Sequence, residues 1–380
     1  MPSAYPDYPS HELIARYLDE FVDHFGFRAR IHFQSEVTEV TPVSGGGWDV
    51  SVRRRGTGRL QTKRYGAVLV ATGHHWDPRY PEPAIPGAAA FSGEQMHSHS
   101  YRTPEPFAGK RVLVVGIGNS GCDLAAECAR VAARTVLSVR RGVHIVPQYL
   151  CGMPTDYLTL SRLGTRFPLP LQSAAVGLMV RAAQGRLTRY GLPRPDHQLL
   201  CGPPTVSDSL LGKLRHGDIT IRPGIERFHG DRAYFTDGST EEADVVIYCT
   251  GYKISFAFLG SCLGSADDDL IPLYRRVVAP ALPGLYFIGL VQPIGAIMPL
   301  AEIQTQWVAD LLQGRAVLPA RAQMDREIAT YRAATASRYG GSASHWIRVD
   351  YLAYCREIHR ERRRASRPGR LDYHRPTVGR

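Results

Sequence analysis

No Cys-x-x-Cys pair occurs anywhere in the 380 residues. The seven cysteines (Cys122, Cys128, Cys151, Cys201, Cys249, Cys262 and Cys355) are odd in number and scattered, which excludes a zinc site or dithiol centre built on local spacing. Buried free thiols in a reducing compartment are the expectation. Long apolar runs are missing too. The longest, residues 169–180, meets Arg181 well short of the roughly 18 apolar residues that a membrane helix needs. The N-terminus lacks the basic-then-apolar order of a secretory signal, so a cytoplasmic protein without a membrane span is expected. No Ser/His/Asp set or carboxylate pair stands out. His74, His75 and His99 form no metal motif with neighbouring Cys, Asp or Glu, and no metal is expected.

Negative charge is in short supply. Lysine and arginine number 46 against 35 acids, a formal net charge of +11. Residues 356–380 alone hold nine arginines and three acids. Basic and aromatic residues do not interleave there as a single-strand binder requires, so nucleic acid is not expected as a partner. A solvated, partly frayed tail is the expectation, with a docking arm for an acidic partner as the alternative.

What is present reads as alternating strands and helices. Ser10 is placed to cap a helix reaching Phe25. Leu13, Ile14, Tyr17, Leu18, Phe21, Val22 and Phe25 recur at three- and four-residue spacing, and Gly26 tolerates the left-handed cap. Short strands are predicted at 31–33, 36–40 and 48–52, with turns at 44–47 and 56–58. Residues 67–71 form an unalternated apolar run closing on Thr72-Gly73, and residues 244–249 repeat the pattern and close on Thr250-Gly251. Strands are also predicted at 111–115, 135–139, 219–222, 233–236 and 285–288, and helices at 119–131 and 301–312. Residues 142–214 mix helical patches with Pro and Gly breaks and give no clear order. The alternation predicts an α/β protein with parallel sheets. The segment between the two Thr-Gly turns holds its own nucleotide loop, so one domain inserted into another is the simplest arrangement.

That loop is Gly116-Ile117-Gly118-Asn119-Ser120-Gly121-Cys122-Asp123, with a strand before it and a helix after it. Gly116 permits the tight turn, Gly118 lets backbone approach a pyrophosphate, and Gly121 lets the helix pack on the strand. The amides of Asn119, Ser120 and Gly121 then face an anion at the helix N-terminus. An NAD site places an acid roughly 20 residues beyond the loop, on the ribose 2′-hydroxyl. Here that position reads Ser138-Val139-Arg140-Arg141. A carboxylate would repel a 2′-phosphate, whereas arginine binds it through charge-assisted hydrogen bonds, so NADP(H) is favoured.

Just before the loop, residues 91–101 fit FxGxxxHxxxY through Phe91, Gly93, His97 and Tyr101, a pattern that resembles the fingerprint of flavin-containing monooxygenases. The related Baeyer–Villiger enzymes usually carry Trp at the last position, so Tyr101 tilts toward the N- and S-oxygenating group. Asp7-Tyr8-Pro9-Ser10-His11, Ala71-Thr72-Gly73, Tyr248-Cys249-Thr250-Gly251-Tyr252, Gly289-Leu290-Val291-Gln292-Pro293 and Ala301-Glu302-Ile303-Gln304 are similar to the same family, in its order, over residues 5–315. The resemblance implies FAD and NADP(H) as cofactors, and a small-molecule substrate with O₂ as partners. NADPH would reduce FAD, a C4a-hydroperoxyflavin would form, and an amine nitrogen or sulfide sulfur would take the oxygen; the cofactor does the hard chemistry. Val37, Thr72, Gly73 and Gln292 carry over as FAD-side contacts. His97 lies in the connector, where a structural role is the better expectation, and no catalytic residue is assigned.

The implied fold is a two-dinucleotide-binding-domain flavoprotein, a Rossmann-like NADP domain (106–243) inserted in an FAD domain (1–105 and 244–315), followed by a helical and basic tail (316–380). The family opens on its own strand and GxGxxG loop for FAD, whereas this chain carries one such loop, the NADP(H) one. The FAD domain is therefore expected to be incomplete. A mis-assigned start or fragment, a half supplied by a neighbour, and a non-catalytic NADP(H)-binding protein are the three explanations. A Baeyer–Villiger monooxygenase is the alternative enzyme; a disulfide-type flavin reductase lacks its CxxC. Whether the chain is a homodimer stays open.

Overall fold

The computed structural model describes residues 2, 4–160, 169–199, 204–263, 271–339 and 346–364. Its largest sheet holds five parallel strands: Glu94–His97, Arg111–Val115, Arg134–Ser138, Ile219–Arg222 and Val245–Tyr248. Across the sheet they run in the order 219–222, 134–138, 111–115, 245–248, 94–97. Both faces are covered at its centre, which is why the two central strands, 111–115 and 245–248, read as nearly unbroken apolar runs. Val112 and Val114 point to one face, packed with Leu137, Ile219 and the helices Asn119–Cys128 and Ser209–His216. Leu113 points to the other, against Phe91, Phe228 and Phe235. Those last two belong to an antiparallel three-stranded meander, Ile225–His229, Arg232–Phe235 and Thr240–Glu242.

The strands 94–97 and 245–248 hydrogen-bond into the glycine-loop sheet, so that sheet runs across the anticipated borders at 105/106 and 243/244. The two Thr-Gly strands consequently lie in different sheets. Val68–Val70, before Thr72-Gly73, pairs in parallel with Leu285–Phe287 instead. Both runs are short and apolar on every residue, so hydrophobic pattern cannot assign either to a sheet.

The remaining chain builds on that second pair. Ser35–Pro42, Trp48–Arg54 and Leu60–Tyr65 form an antiparallel sheet whose Trp48 is sealed in a core with Val70, Phe256, Phe287 and Trp346. The strand Leu60–Tyr65 escaped prediction because all six residues are exposed and mostly polar. A third core joins the helices Met298–Leu312 and Tyr351–Arg362 through Trp307, Tyr354 and Ile358. The helix His11–His24 begins at Ser10 as expected, with Leu13 N–H donating to Ser10 Oγ at 3.4 Å. Its apolar stripe is only partly covered, however: Leu13, Ile14, Tyr17 and Val22 are half-buried, no residue of the helix is buried, and Phe21 and Phe25 are 41% and 61% exposed.

The basic tail is docked at its start. Arg362 donates to Asp310 at 2.8 Å, and Glu361, 1% exposed, accepts from Tyr274. Burying Tyr354, Ile358 and Glu361 fixes this helix, so solvation of residues 356–380 does not hold for its first turns; residues 365–380 lie outside the described residues. Among the described residues no helix is long and apolar enough to cross a membrane, and no His/Cys/Asp/Glu group could hold a metal. Cysteines 122, 128 and 249 are buried free thiols, but Cys151 is exposed, and Cys201 lies outside the described residues.

Candidate active site

Parallel strands place all their C-terminal ends along one edge, where open α/β sheets bind ligands. Here that edge gathers Gly116–Gly121, residues 139–141, Cys249-Thr250-Gly251 and His97. Register makes the first two neighbours: Val115 pairs with Ser138, and Gly116 N–H donates to the Ser138 carbonyl at 3.0 Å.

The three glycines have distinct reasons to be glycine. Gly116 has φ +109°, and a Cβ there would sit 2.6 Å from the Cys249 carbonyl oxygen. A Cβ at Gly121 would overlap the Gly116 carbonyl. At Gly118 a Cβ would meet nothing, so this backbone is open to an incoming group. Gly118 is also the N-cap of Asn119–Cys128 and provides no side chain to satisfy the first-turn amides. An uncapped helix N-terminus beside open backbone is what a pyrophosphate requires.

Several neighbouring side chains are spent on the fold. Asn119 Oδ1 accepts from Val206 N–H at 3.0 Å, and Ser138 Oγ donates to the Pro223 carbonyl at 2.8 Å. Cys122 is fully buried, and burial pushes its thiol up to about 12. Ser120 and Asp123 are exposed beside the loop, and desolvation with the nearby Glu127 carboxylate raises the Asp123 carboxyl above its usual range. Arg140 and Arg141 are exposed at the adjoining strand end. Among the described residues neither makes a hydrogen bond or ion pair, although Arg141 helps lower the Asp196 carboxyl, whose chief partner is His197.

The fingerprint residues hold the connector in place. Phe91 packs on Phe228 with ring centroids 5.0 Å apart, and a Cβ at Gly93 would sit 2.5 Å from the Asp244 carbonyl oxygen. His97 is 1% exposed; its Nδ1 accepts the His99 N–H at 3.1 Å, and burial lowers its pKa, so the ring is neutral at pH 7. Tyr101 stacks flat on Phe107 at 5.6 Å and donates to Glu127 of the glycine-loop helix at 2.8 Å.

The second Thr-Gly turn stands apart from that edge in sequence but is joined to it. Thr72 and Gly73 are exposed, with Gly73 at φ +71°. His74 follows, 7% exposed, with neither ring nitrogen partnered among the described residues. Burial lowers its pKa to about 4, so it is a neutral imidazole. Its ring lies 4.2 Å from His75, which lies 5.3 Å from Tyr252, which lies 5.2 Å from His97. Residue spacing marks His74 only as lacking a metal motif; its orphaned nitrogens, which a polar ligand would satisfy, are visible only in three dimensions. Val37 is 39% exposed beside a strand irregularity, and Gln292 pairs through its backbone with Arg348. Gln304, fully buried, accepts from Gly289 N–H at 2.8 Å and donates to the Tyr354 hydroxyl at 2.6 Å, so it pins the loop leading to Gln292.

The Asp7-Tyr8 segment also has a seat. Tyr8 donates to the Gln148 carbonyl at 3.0 Å and Tyr149 donates to Asp7 at 2.9 Å, with the two rings edge to face.

A glycine-loop sheet joined to a second nucleotide-type strand end defines a two-site α/β nucleotide-binding protein. Comparison with known proteins makes this specific. The model of the flavin-binding monooxygenase-like family matches residues 1–365. Flavin-containing monooxygenase 5 of Rattus norvegicus is 35% identical over 372 residues, covering 94% of this chain and 68% of the relative. Dimethylaniline monooxygenase [N-oxide-forming] 2 of the same species is 32% identical over 369 residues, with the same shares. Among solved structures, S-allyl-L-cysteine S-oxygenase from Allium sativum superposes with a TM-score of 0.68 at 24% identity, covering 97% of this chain and 71% of that one. A closed structure of cyclohexanone monooxygenase gives 0.68 at 17% identity, covering 93% and 83%. The chain belongs to the flavin-binding monooxygenase family. It is thus a flavin-dependent monooxygenase by family, and the family's cofactors are FAD and NADPH.

Proposed function

We propose that this protein oxygenates a soft nucleophile, an amine nitrogen or a sulfide sulfur, on a small substrate with NADPH and O₂. The observation that carries the choice is the seat of Tyr101. Its phenol is half-buried, flat against Phe107, and hydrogen-bonded to Glu127; the Trp usual in ketone-oxidising relatives has no hydroxyl to offer there. The names of the curated relatives, one of them N-oxide-forming, support the same reading.

The residues divide the work. The amides of Asn119, Ser120 and Gly121, with Gly118 leaving room, would hold the NADPH pyrophosphate, and Arg140 and Arg141 its 2′-phosphate. Thr72, Gly73, Val37 and Gln292 would line the FAD side, and the orphaned His74 fits a polar group there. Bound FAD, reduced by NADPH, supplies the oxygen-activating chemistry. His74 and His97, both neutral at pH 7, would position rather than donate protons. We place the nucleotide domain on residues 106–243 with the strands 94–97 and 245–248 that complete its sheet, and the flavin domain on the rest of 1–105 and 244–315. A cytoplasmic location is part of the same proposal.

Turnover of a tertiary amine, a sulfide and a cyclic ketone, run side by side with NADPH and added FAD, tests it. N- or S-oxide formation is expected; oxidation of the ketone alone would overturn the reading.

A further inference from the structure

The turn joining Tyr274 to Val277 is built from two arginines in a conformation that arginine avoids. Val277 N–H donates to the Tyr274 carbonyl at 3.1 Å, and between them Arg275 and Arg276 have φ +50° and +57°. Positive φ at both central positions is the signature of a primed hairpin turn, where Asn-Gly is the usual pair. Side chains there carry strain, and strain that persists directs attention to what it places.

What it places is a buried guanidinium. Arg276 is 4% exposed, lies 4.0 Å from the Tyr331 ring centroid and 5.0 Å from that of Tyr354, and leaves its Nε without a hydrogen-bond partner. Its ion pair with Glu357, at 3.6 Å, is longer than the roughly 2.7–2.9 Å of a charge-assisted hydrogen bond. Beside it opens a cavity of about 150 Å³, remote in sequence from both nucleotide turns. A cavity of that size takes a benzene-sized molecule. Arg276, Arg348, Asp350 and Glu357 bring both signs of charge to its wall, and Val349 and Ala334 an apolar surface. Asp350 spends one oxygen on the Ala353 N–H at 2.9 Å.

From this we infer a binding site for a small zwitterion of the α-amino-acid class. A neutral guest would leave the Arg276 guanidinium on the cavity wall with only its 3.6 Å pair to Glu357. A simple anion would face Asp350 and Glu357, and a simple cation Arg276 and Arg348. A carboxylate on the arginine side with an ammonium on the acid side answers both. The site also touches the rest of the molecule. Tyr354, on its wall, donates to the Arg275 carbonyl and accepts from Gln304, which holds Gly289; Arg348-Val349 pairs with Gln292-Pro293.

The test is direct binding, which needs no cofactor and so stands or falls apart from the proposed reaction. Calorimetric titration and thermal unfolding of the full chain are run with L-alanine, acetate, ethylamine and sodium chloride at matched ionic strength. Saturable binding and a raised Tm with L-alanine, at least tenfold tighter than acetate or ethylamine, are expected. Arg276→Gly removes the guanidinium while suiting the left-handed turn, and Ala334→Trp fills the mouth from a helix; each is expected to abolish binding without lowering Tm. Absence of saturable binding, equal response to all four solutes, or retained binding in Arg276→Gly would overturn the inference.

Discussion

The hydroxyl of Tyr101 donates to the carboxylate of Glu127 at 2.8 Å, tying the connector to the helix that follows the glycine loop. Burial and that carboxylate raise the phenol well above its ordinary pKa, so it is a donor at every working pH. Tyr101→Phe keeps the stacking on Phe107 and removes only the bond. A loss of about 1 kcal/mol in unfolding free energy is expected. Denaturant melts check it; a loss of NADPH affinity with unchanged stability would contradict the structural role.

The glycine loop separates packing from binding. Gly121→Ala drives a methyl into the Gly116 carbonyl, and about 1–3 kcal/mol of stability should go. Gly118→Ala meets no protein atom, so its stability should stay within about 0.5 kcal/mol. NADPH affinity should nevertheless fall at least about tenfold, because the new methyl occupies the open approach to the loop. Thermal unfolding and a fluorescence titration of each variant read the two effects.

Arg140 and Arg141 are expected to discriminate between the dinucleotides. Replacing each with Ala should cost NADPH about 1.5–3 kcal/mol, the value of a hydrogen bond to a charged group, and NADH almost nothing. Equal loss for both dinucleotides would remove the 2′-phosphate assignment. Ser138→Ala should instead lower stability and leave the ratio unchanged, because its hydroxyl already serves Pro223.

His74 sets a pH dependence. Its folded pKa, about 4 through burial and then the neighbouring His75, lies below the roughly 6.5 of an unfolded histidine. Between those values the unfolded chain binds a proton that the folded chain refuses. Stability therefore falls as pH drops from about 6.5 to 4, by on the order of 3 kcal/mol. His74→Phe should flatten that slope and raise stability at low pH. An unchanged slope in urea melts from pH 7 to 4 would show that His74 is not the group responsible.

Asp310 gives a second acid-linked effect. Arg362 first, then Arg315, hold its carboxyl below the usual range, so its contribution is present above about pH 4 and lost as pH falls through the lower folded pKa. Asp310→Asn should loosen the C-terminal helix at pH 7 and reduce the acid sensitivity of the melt. Hydrogen exchange over Tyr351–Arg362 reports it.

The parts legible in the sequence were those whose chemistry is local. A tight turn, an uncapped helix start and a strand on either side are encoded within about ten residues, so Gly116, Gly118 and Gly121 could be assigned roles one by one. The arginines after Ser138 could be placed because a parallel strand sets a fixed offset from the loop. Sheet membership could not: 68–70 and 245–248 share one apolar signature, and only long-range pairing with 285–287 or 111–115 separates them. Nor could sequence tell which polar groups near the loop were already engaged. Asn119 and Ser138 suit a ligand contact by type, yet their partners, Val206 and Pro223, lie more than 80 residues away. The partly covered stripe of His11–His24 makes the same point, since periodicity predicts a face and not what covers it.

The chain enters and leaves the five-stranded unit side by side. Asp77-Pro78 pairs antiparallel with Tyr252-Lys253, Arg79 N–H donates to the Gly251 carbonyl, and Ser255 donates to Asp77. The unit is thus a cassette whose two chain crossings share one ribbon a few residues wide, while Tyr8 on Gln148 and Ile294 against Val146 tie it to the rest of the chain elsewhere. Both seams of a graft would fall at the same place, so an exchanged unit would have to keep that ribbon together with the seats of Tyr8 and Ile294.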